Sequence, residues 1–187
     1  MRMRATKNGI RLKAYAGTTG VLLAMNVTAR RRLGLLGFAI ERWGPGSRHR
    51  WLSGLLRFPG QGGERLTPID SKDGPIQKFR WSDYSVYPST DYSYRVHGVY
   101  GTPDALRLVP GGQVQVETEA LHSGQHQVIF NRAAAASQYY ARRFGNVNPD
   151  EPSHVAARKW LARGLDHKIL SFIEQAKDEM VAGPGDL

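Results

Sequence analysis

The sequence contains no cysteine among its 187 residues, which excludes disulfide bonds and thiolate metal ligands. A chain without cysteine fits a reducing compartment, so we expect the protein to be cytoplasmic. The most apolar early stretch, residues 21–25, is far shorter than the roughly 20 residues that cross a bilayer. The charged N-terminus lacks the apolar core of a signal peptide. The sequence therefore predicts neither a transmembrane segment nor a secretory one.

Motifs that would indicate a metal, a cofactor or a nucleophilic centre are also missing. His122 and His126 stand four residues apart, but Gly124 disfavours a helix between them and no third ligand is near. The glycine-rich stretches lack the Gly-Lys-Ser/Thr ending of a phosphate-binding loop and are interpreted as turns. No serine adjoins an evident base. We predict no metal site, no cofactor and no catalytic residues in this chain.

Acidic residues are scarce relative to basic ones. Sixteen Asp and Glu stand against 26 Lys and Arg, which gives a formal net charge of +10. Such an excess attracts polyanions, so nucleic acid and anionic phospholipid are the expected partners. The candidate polyanion-binding residues lie in three short clusters: Arg30, Arg31, Arg32, Arg48, His49, Arg50, Arg142 and Arg143. Trp43 and Trp51 flank the second cluster, as in binders that stack single-stranded bases, although hydrated arginines at strand ends are the alternative interpretation.

The composition changes near residue 120. Before it, short β-branched and aromatic runs are separated by glycine and proline, which is typical of antiparallel strands in a sandwich. In residues 10–16, apolar and polar positions alternate, as in a half-buried strand. Further strands are predicted over residues 21–27, 35–42, 51–58, 76–81, 91–100 and 113–119.

The region after residue 120 has a different pattern. It predicts a short strand over residues 128–130, a helix over residues 133–144 that ends at Gly145, and a longer helix after Ser153. Gly164 lies inside the longer helix, where glycine costs about 1 kcal/mol relative to alanine and allows a kink or a break. Apolar residues at helical spacing form one stripe on this helix: Ala157, Leu161, Leu165, Ile169, Phe172 and Ala176.

The stretch over residues 79–99 resembles a fibronectin type III domain from strand E through strand F. Pro88, Thr90, Tyr92 and Val96 occupy the places of that family's proline-led turn and Thr-x-Tyr-x-x-x-Val strand. The resemblance implies that Tyr92 is the corner tyrosine. In that position the ring packs inward while the hydroxyl satisfies a nearby backbone group.

A second resemblance covers most of the chain. Residues 37–42, 51–60, 75–81 and 130–145 look like the N-terminal region of bacterial phospholipase D-like proteins, in which a sandwich precedes an α/β phosphodiesterase domain. The resemblance implies a fibronectin type III-like, or Ig-like, sandwich over residues 8–120. Residues 121–187 would then be the opening strand and helices of the phospholipase D-like domain.

That family's chemistry depends on the motif His-x-Lys-x4-Asp, in which histidines attack phosphorus and protonate the leaving oxygen while lysines hold the phosphate oxygens. None of the six histidines here has a lysine two positions later. We therefore expect no phosphodiesterase activity from this chain. We also expect it to be a fragment, the product of a truncated reading frame, or half of a split enzyme.

The expected fold is mainly β, and three functions remain open. The first is a non-catalytic, accessory or substrate-presenting part of a phospholipase D-like phosphodiesterase, whose partner would be the missing catalytic domain. The second is a free-standing module that binds nucleic acid or an anionic surface. The third is a protein-interaction sandwich that uses an exposed sheet edge, which is favoured if the basic clusters are scattered in space.

Overall fold

The computed structural model describes residues 1–63, 67–121, 131 and 138–182. The chain divides into two compact units, Met1–Ser123 and Gly124–Leu187. The described part of the first unit is almost entirely β, and that of the second is helical. A strand that precedes residue 8 belongs to the first unit, so this unit begins earlier than the predicted domain over residues 8–120.

The first unit contains two antiparallel sheets of four strands each. The strands of the first sheet are β1 (Arg2–Lys7), β2 (Ile10–Ala16), β3 (Val21–Val27) and β8 (Arg80–Asp83), in the order β1-β2-β3-β8. The second sheet has the order β10-β9-β4-β5, and its strands are β4 (Gly37–Trp43), β5 (His49–Trp51), β9 (Asp91–Thr102) and β10 (Ala105–Glu117). A short pair, β6 (Ser53–Gly54) with β7 (Ile69–Asp70), and a one-turn helix, α1 (Ala29–Arg32), complete the described elements.

The inner faces of the two sheets share one core, so the first unit is a β-sandwich. In β2, Ile10, Leu12 and Ala14 are fully buried, as the alternating pattern predicts. The predicted strands over residues 10–16 and 21–27 match β2 and β3 in both bounds. Burying such side chains supplies most of the favourable free energy of a sandwich, at about 25 cal/mol per Å² of apolar surface.

Tyr92 lies in the core at the start of β9, where it is 2% exposed. Its hydroxyl accepts a hydrogen bond of 2.9 Å from the backbone N–H of Tyr87, five residues upstream. Both the inward ring and the bonded backbone group that the sequence implies are therefore confirmed.

A buried ion pair joins the two inner faces. Arg42 of β4 donates from Nη1 to Oδ2 of Asp83 in β8 over 2.8 Å. Tyr94 donates its hydroxyl proton to the same carboxylate over 3.0 Å, and Ser85 donates its backbone N–H over 3.0 Å. Burial raises the pKa of Asp83, but the Arg42 guanidinium and the hydrogen bonds outweigh burial and hold that pKa below its usual value.

Three strand predictions differ from the structure. The prediction over residues 51–58 is wrong because regular pairing stops at Gly54, and the predicted strand over 76–81 starts only at Arg80. The strand predicted from residue 113 begins at Ala105, since β10 continues through Gly111 and Gly112 at a register shift. Here β10 passes so close to its neighbours that a Cβ on Gly112 would lie 2.4 Å from the Ala5 carbonyl oxygen. The glycines thus serve close packing and not a turn.

Strand β1 has no counterpart in the sequence prediction. It pairs with β2 through a tight hairpin at Asn8 and Gly9, whose φ angles are 51° and 74°. Asn-Gly is the preferred pair for a two-residue hairpin because both central residues adopt positive φ.

The second unit contains the helices α2 (Gln138–Phe144), α3 (Val155–Ala162) and α4 (Leu165–Ala182). Arg163 and Gly164 adopt φ of 56° and 82° between α3 and α4, so the break that Gly164 allows is present. Ile169 and Phe172 of the predicted apolar stripe are 52% and 71% exposed. The predicted strand over residues 128–130 lies outside the described residues. Among the helices that the structure describes, none is long and apolar enough to cross a membrane.

Candidate polyanion-binding face

The outer face of the first sheet gathers basic side chains from three of its four strands. The pairing of β1 with β2 places Arg4 opposite Lys13, and the pairing of β3 with β8 places Arg80 opposite Ala24. We call this surface the cationic face, and its residues are Arg2, Arg4, Thr6, Arg11, Lys13, Tyr15, Leu22, Ala24, Asn26, Arg80 and Ser82. Five of these eleven residues are cations and none is acidic.

The alternation of the strands forces these cations outward. Successive side chains of a strand point to opposite faces, and the residues between them in β2 and β3 fill the core. A slip of one residue would bury Arg11 and Lys13 and expose Ile10 and Leu12, so the register is strongly fixed. The cationic face is therefore as well defined as the core itself.

The cations form a row across the strands. Arg4, Lys13 and Arg80 occupy one row with Ala24, which spans three strand spacings, or about 14 Å. Arg2 and Arg4 stand two residues apart along β1, or about 7 Å. The arrangement suits an extended chain of negative charges better than one small anion.

The cations of this face have no anionic partner within the described residues. Neither the ion pairs nor the side-chain hydrogen bonds of that part of the chain include them, although Arg2 lies over the Tyr15 ring at 5.4 Å. Arg4 and Lys13 are like charges directly opposite each other, a pairing that destabilises a sheet. An anion bound between them would remove this repulsion.

The structure divides the basic clusters that the sequence singled out. Arg30, Arg31 and Arg32 form α1, and Arg31 donates from Nε to the Asn8 carbonyl oxygen over 3.0 Å. This first cluster thus lies beside the β1–β2 hairpin, at the end of the sheet where Arg11 stands.

The second cluster lies at the opposite end of β4. Arg48, His49 and Arg50 belong to the connection and strand that follow Trp43, whereas α1 precedes Gly37. The seven residues of β4 separate the two clusters by roughly 20 Å along the sheet. The structure therefore does not bring these two clusters together, which by the criterion given above favours the protein-interaction alternative over binding by these clusters; the case for a polyanion depends on the cationic face. Arg50 donates from Nη2 to the Ser85 hydroxyl.

The third cluster belongs to the second unit. Arg142 lies over the Tyr139 ring at 5.8 Å, and Arg143 over the Phe144 ring at 5.5 Å. Both arginines are in the last turn of α2, where positive charge is favourable against the helix dipole. A role in helix stability accounts for both contacts.

On the outer face of the second sheet, one arginine and two histidines converge on Glu41 of β4. Its carboxylate lies 2.8 Å from Nε2 of His97 and 3.1 Å from Nε2 of His49. Arg95 donates to it from Nη1 over 3.4 Å. His49, a predicted polyanion-binding residue, is therefore already hydrogen-bonded to a carboxylate.

Aromatic and amide groups contact the side chains that surround Glu41. The Arg95 guanidinium lies 5.1 Å from the Trp43 ring centre and donates twice to Oε1 of Gln113, over 2.9 and 2.6 Å. The Trp51 ring lies 5.4 Å from the imidazole of His97. Although a carboxylate and two histidines meet here, the described residues contain no group of three or more side chains arranged to hold a metal ion.

Comparisons with known proteins do not indicate a function for this chain. No protein-family model matches the chain, and no curated protein matches it. Among solved structures it is similar to a computer-redesigned β-sandwich protein, with 12% identity and a TM-score of 0.38. That match covers 67% of this chain and 99% of the other. The sandwich assignment rests on the two sheets and their shared core.

Proposed function

We propose that the first unit binds single-stranded nucleic acid by its phosphate backbone, on the cationic face. The observation that carries the proposal is a surface of five basic side chains with no carboxylate among them. Lysines and arginines that neutralise phosphates release condensed counterions, and this release drives binding without regard to base sequence. The Tyr15 ring on the same face offers a surface on which a base can stack.

A nucleic acid suits this face better than a membrane does. Proteins that bind bilayers bury apolar side chains in the interface, and the most exposed apolar residue of this face, Leu22, is only 41% exposed. The sheet instead presents cations from three of its four strands, over a distance that several phosphates of a backbone would span. We expect slight base preference from the face, because no recognition helix lies on it.

The proposed fold is of the fibronectin type III type with β1 added at one edge. Without β1, the sheets have the orders β2-β3-β8 and β10-β9-β4-β5, which correspond to strands A-B-E and G-F-C-C′ of Ig-like sandwiches. The hydrogen bond of the Tyr92 hydroxyl supports this proposal. The resemblance to phospholipase D-like proteins stays a prediction. A module that holds phosphodiester backbones would serve the accessory role that the resemblance implies.

The test compares two double substitutions with the same loss of charge. Arg4→Gln/Lys13→Gln removes two central cations of the cationic face, and Arg142→Gln/Arg143→Gln removes two from α2 as the control. Binding of fluorescent oligothymidylate is titrated at several salt concentrations. Five phosphate contacts to a single strand predict a log–log salt slope of about −3.5, and the loss of two contacts predicts about −2. We expect the control to keep the steeper slope.

Three results would overturn the proposal. The first is no binding of the wild-type protein at low salt. The second is equal loss in both variants, which would assign binding to net charge alone. The third is tighter binding to vesicles containing anionic phospholipid than to the oligonucleotide, with loss of vesicle binding in Arg4→Gln/Lys13→Gln, because the face would then be a lipid site.

A further inference from the structure

A cleft of about 590 Å³ opens in the first unit between β3 and the start of β4. Met25, Leu35 and Phe38 contribute apolar surface to it. Its polar groups come from Asn26, Gln77 and Arg32, and Phe79 also lines it. Apolar walls with a few polar groups are typical of a site for a small, flat organic group.

The cleft borders the cationic face at Asn26. Asn26 belongs to that face, where it is paired with Arg11 of β2, and it also lines the cleft. Phe79 directly precedes Arg80, and its carbonyl oxygen accepts a hydrogen bond of 2.8 Å from the backbone N–H of Met25. A single-stranded nucleic acid that follows the row of cations across the sheet to Arg80 therefore reaches the mouth of the cleft.

Phe79 presents an aromatic ring at this mouth. The ring meets Phe38 in a T-shaped contact with centres 5.2 Å apart, which supports it from one side. The residue is nonetheless 47% exposed. Because Phe79 and Arg80 are consecutive residues, the ring points away from the cationic face and toward the cleft. A supported but partly exposed ring in a cleft has the features of a base-stacking platform in a single-strand binder.

The polar groups suit a nucleobase and its phosphate. Oδ1 of Asn26 accepts a hydrogen bond of 2.8 Å from the backbone N–H of Val27, which leaves its amide N–H groups as donors. Gln77 is exposed and carries a second amide, and amides of this kind hydrogen-bond to base edges. Arg32 adds an exposed cation at the same cleft.

We infer that this cleft holds one unstacked nucleobase of the bound strand, with the base against Phe79 and the adjoining phosphate at Arg32. The inference rests on the proposed function, because the cationic face delivers the strand to the cleft. A base held in the cleft would add a base-dependent contribution to binding that otherwise depends on the phosphate backbone alone.

The test compares oligothymidylate with an abasic oligonucleotide of the same length and charge. We expect Phe79→Ala to weaken oligothymidylate binding by about 5- to 150-fold, the range given by loss of one base stack, and to leave abasic binding unchanged. Phe79→Tyr keeps the ring and should restore binding. Tyr87→Ala is the matched control, since Tyr87 is an aromatic residue of the same unit that is 71% exposed.

Failure of the inference and failure of the proposed function give different results. If both oligonucleotides bind and Phe79→Ala weakens neither, or weakens both equally, the cleft is not a base site and the cationic face stands. If neither binds the wild-type protein, both proposals fall. Phe79→Leu keeps apolar volume against Phe38, so a loss of base-dependent binding in this variant at unchanged melting temperature separates stacking from folding.

Discussion

The two outer faces of the sandwich differ in the partners of their central charges. On the second sheet, Glu41 lies directly opposite Arg95 and also meets two histidines, and the only like charges directly opposite each other among the described pairs of that face, Asp91 and Glu117, stand at the end of the strands. On the first sheet, Arg4 lies directly opposite Lys13, and no carboxylate stands on the same face. Opposite charges across a sheet stabilise it and like charges destabilise it, by roughly 0.2–1 kcal/mol for each pair.

This contrast indicates which charges serve folding. A sandwich gains nothing from a row of like charges on an open sheet, and it would lose nothing if neutral residues replaced them. The charges around Glu41 are accounted for by the stability of the second sheet. No interaction within the described part of the unit explains the cations of the first sheet. An external anion would explain them.

The largest effect on stability is expected from Arg42, a cation that faces inward. Replacing Arg42 by Ala leaves Asp83 buried without its ion-pair partner, and we expect a loss of about 3–5 kcal/mol in the free energy of unfolding. Urea denaturation measures the loss. Arg48→Ala removes an exposed arginine of the same hairpin and should change stability by less than about 0.5 kcal/mol. Similar losses in both variants would show that the buried ion pair does not stabilise the packing of the two sheets.

The same ion pair predicts how stability depends on acidity. Because the folded pKa of Asp83 is lowered, the ionised carboxylate contributes stability that is fully present above its unfolded pKa of about 3.9. That contribution is lost as the pH falls through the lower folded pKa. We expect the free energy of unfolding to decline below about pH 4. Asp83→Asn should reduce this decline, and an unchanged decline would assign it to other carboxylates.

An intermediate effect is expected on the outer face of the second sheet. Glu41→Gln keeps the shape of the side chain but removes the charge that Arg95 and His97 meet, so we expect a loss of about 1–3 kcal/mol. Glu117→Gln is the control because Glu117 is exposed on β10 of the same sheet and lies opposite Asp91 and not opposite a cation, so its loss should leave stability unchanged or slightly raised. Thermal or urea denaturation of the two variants checks the prediction. Equal stabilities would mean that Glu41 is as dispensable as an exposed carboxylate.

The core strands could be predicted from the sequence because their pattern is local. Alternation in residues 10–16 and 21–27 fixes both bounds of β2 and β3, and the Pro88-to-Val96 pattern identifies the buried Tyr92. Strand β1 was not predicted, since few of its residues contribute to the core. The hairpin pair Asn8-Gly9 was the available signal for it.

The candidate site could not be predicted in the same way. Consecutive arginines attract notice in a sequence, but neighbours along a strand point to opposite faces and cannot share one surface. Asn8-Gly9 is a local signal that places Arg4 opposite Lys13, but Arg80 is distant in the chain and joins their row only through the pairing of β3 with β2 and β8. The register between such distant strands is a tertiary property for which the sequence has no turn signal.

The smallest expected effect is a gain, and not a loss, in the free energy of unfolding. Arg4→Gln/Lys13→Gln removes a pair of like charges, so we expect the free energy of unfolding to rise by about 0.2–1 kcal/mol at low salt. The gain should vanish near 1 M salt, where the Debye length of about 3 Å screens the repulsion. Urea denaturation at both salt concentrations measures it, with Lys7→Gln/Arg48→Gln as the control, since these are exposed cations of the same unit and the variant loses the same charge. A gain in stability together with weaker oligonucleotide binding identifies residues retained for a ligand at the expense of the fold. A loss of stability in the face variant would show that these cations support the first sheet, and the contrast between the two outer faces would then fail.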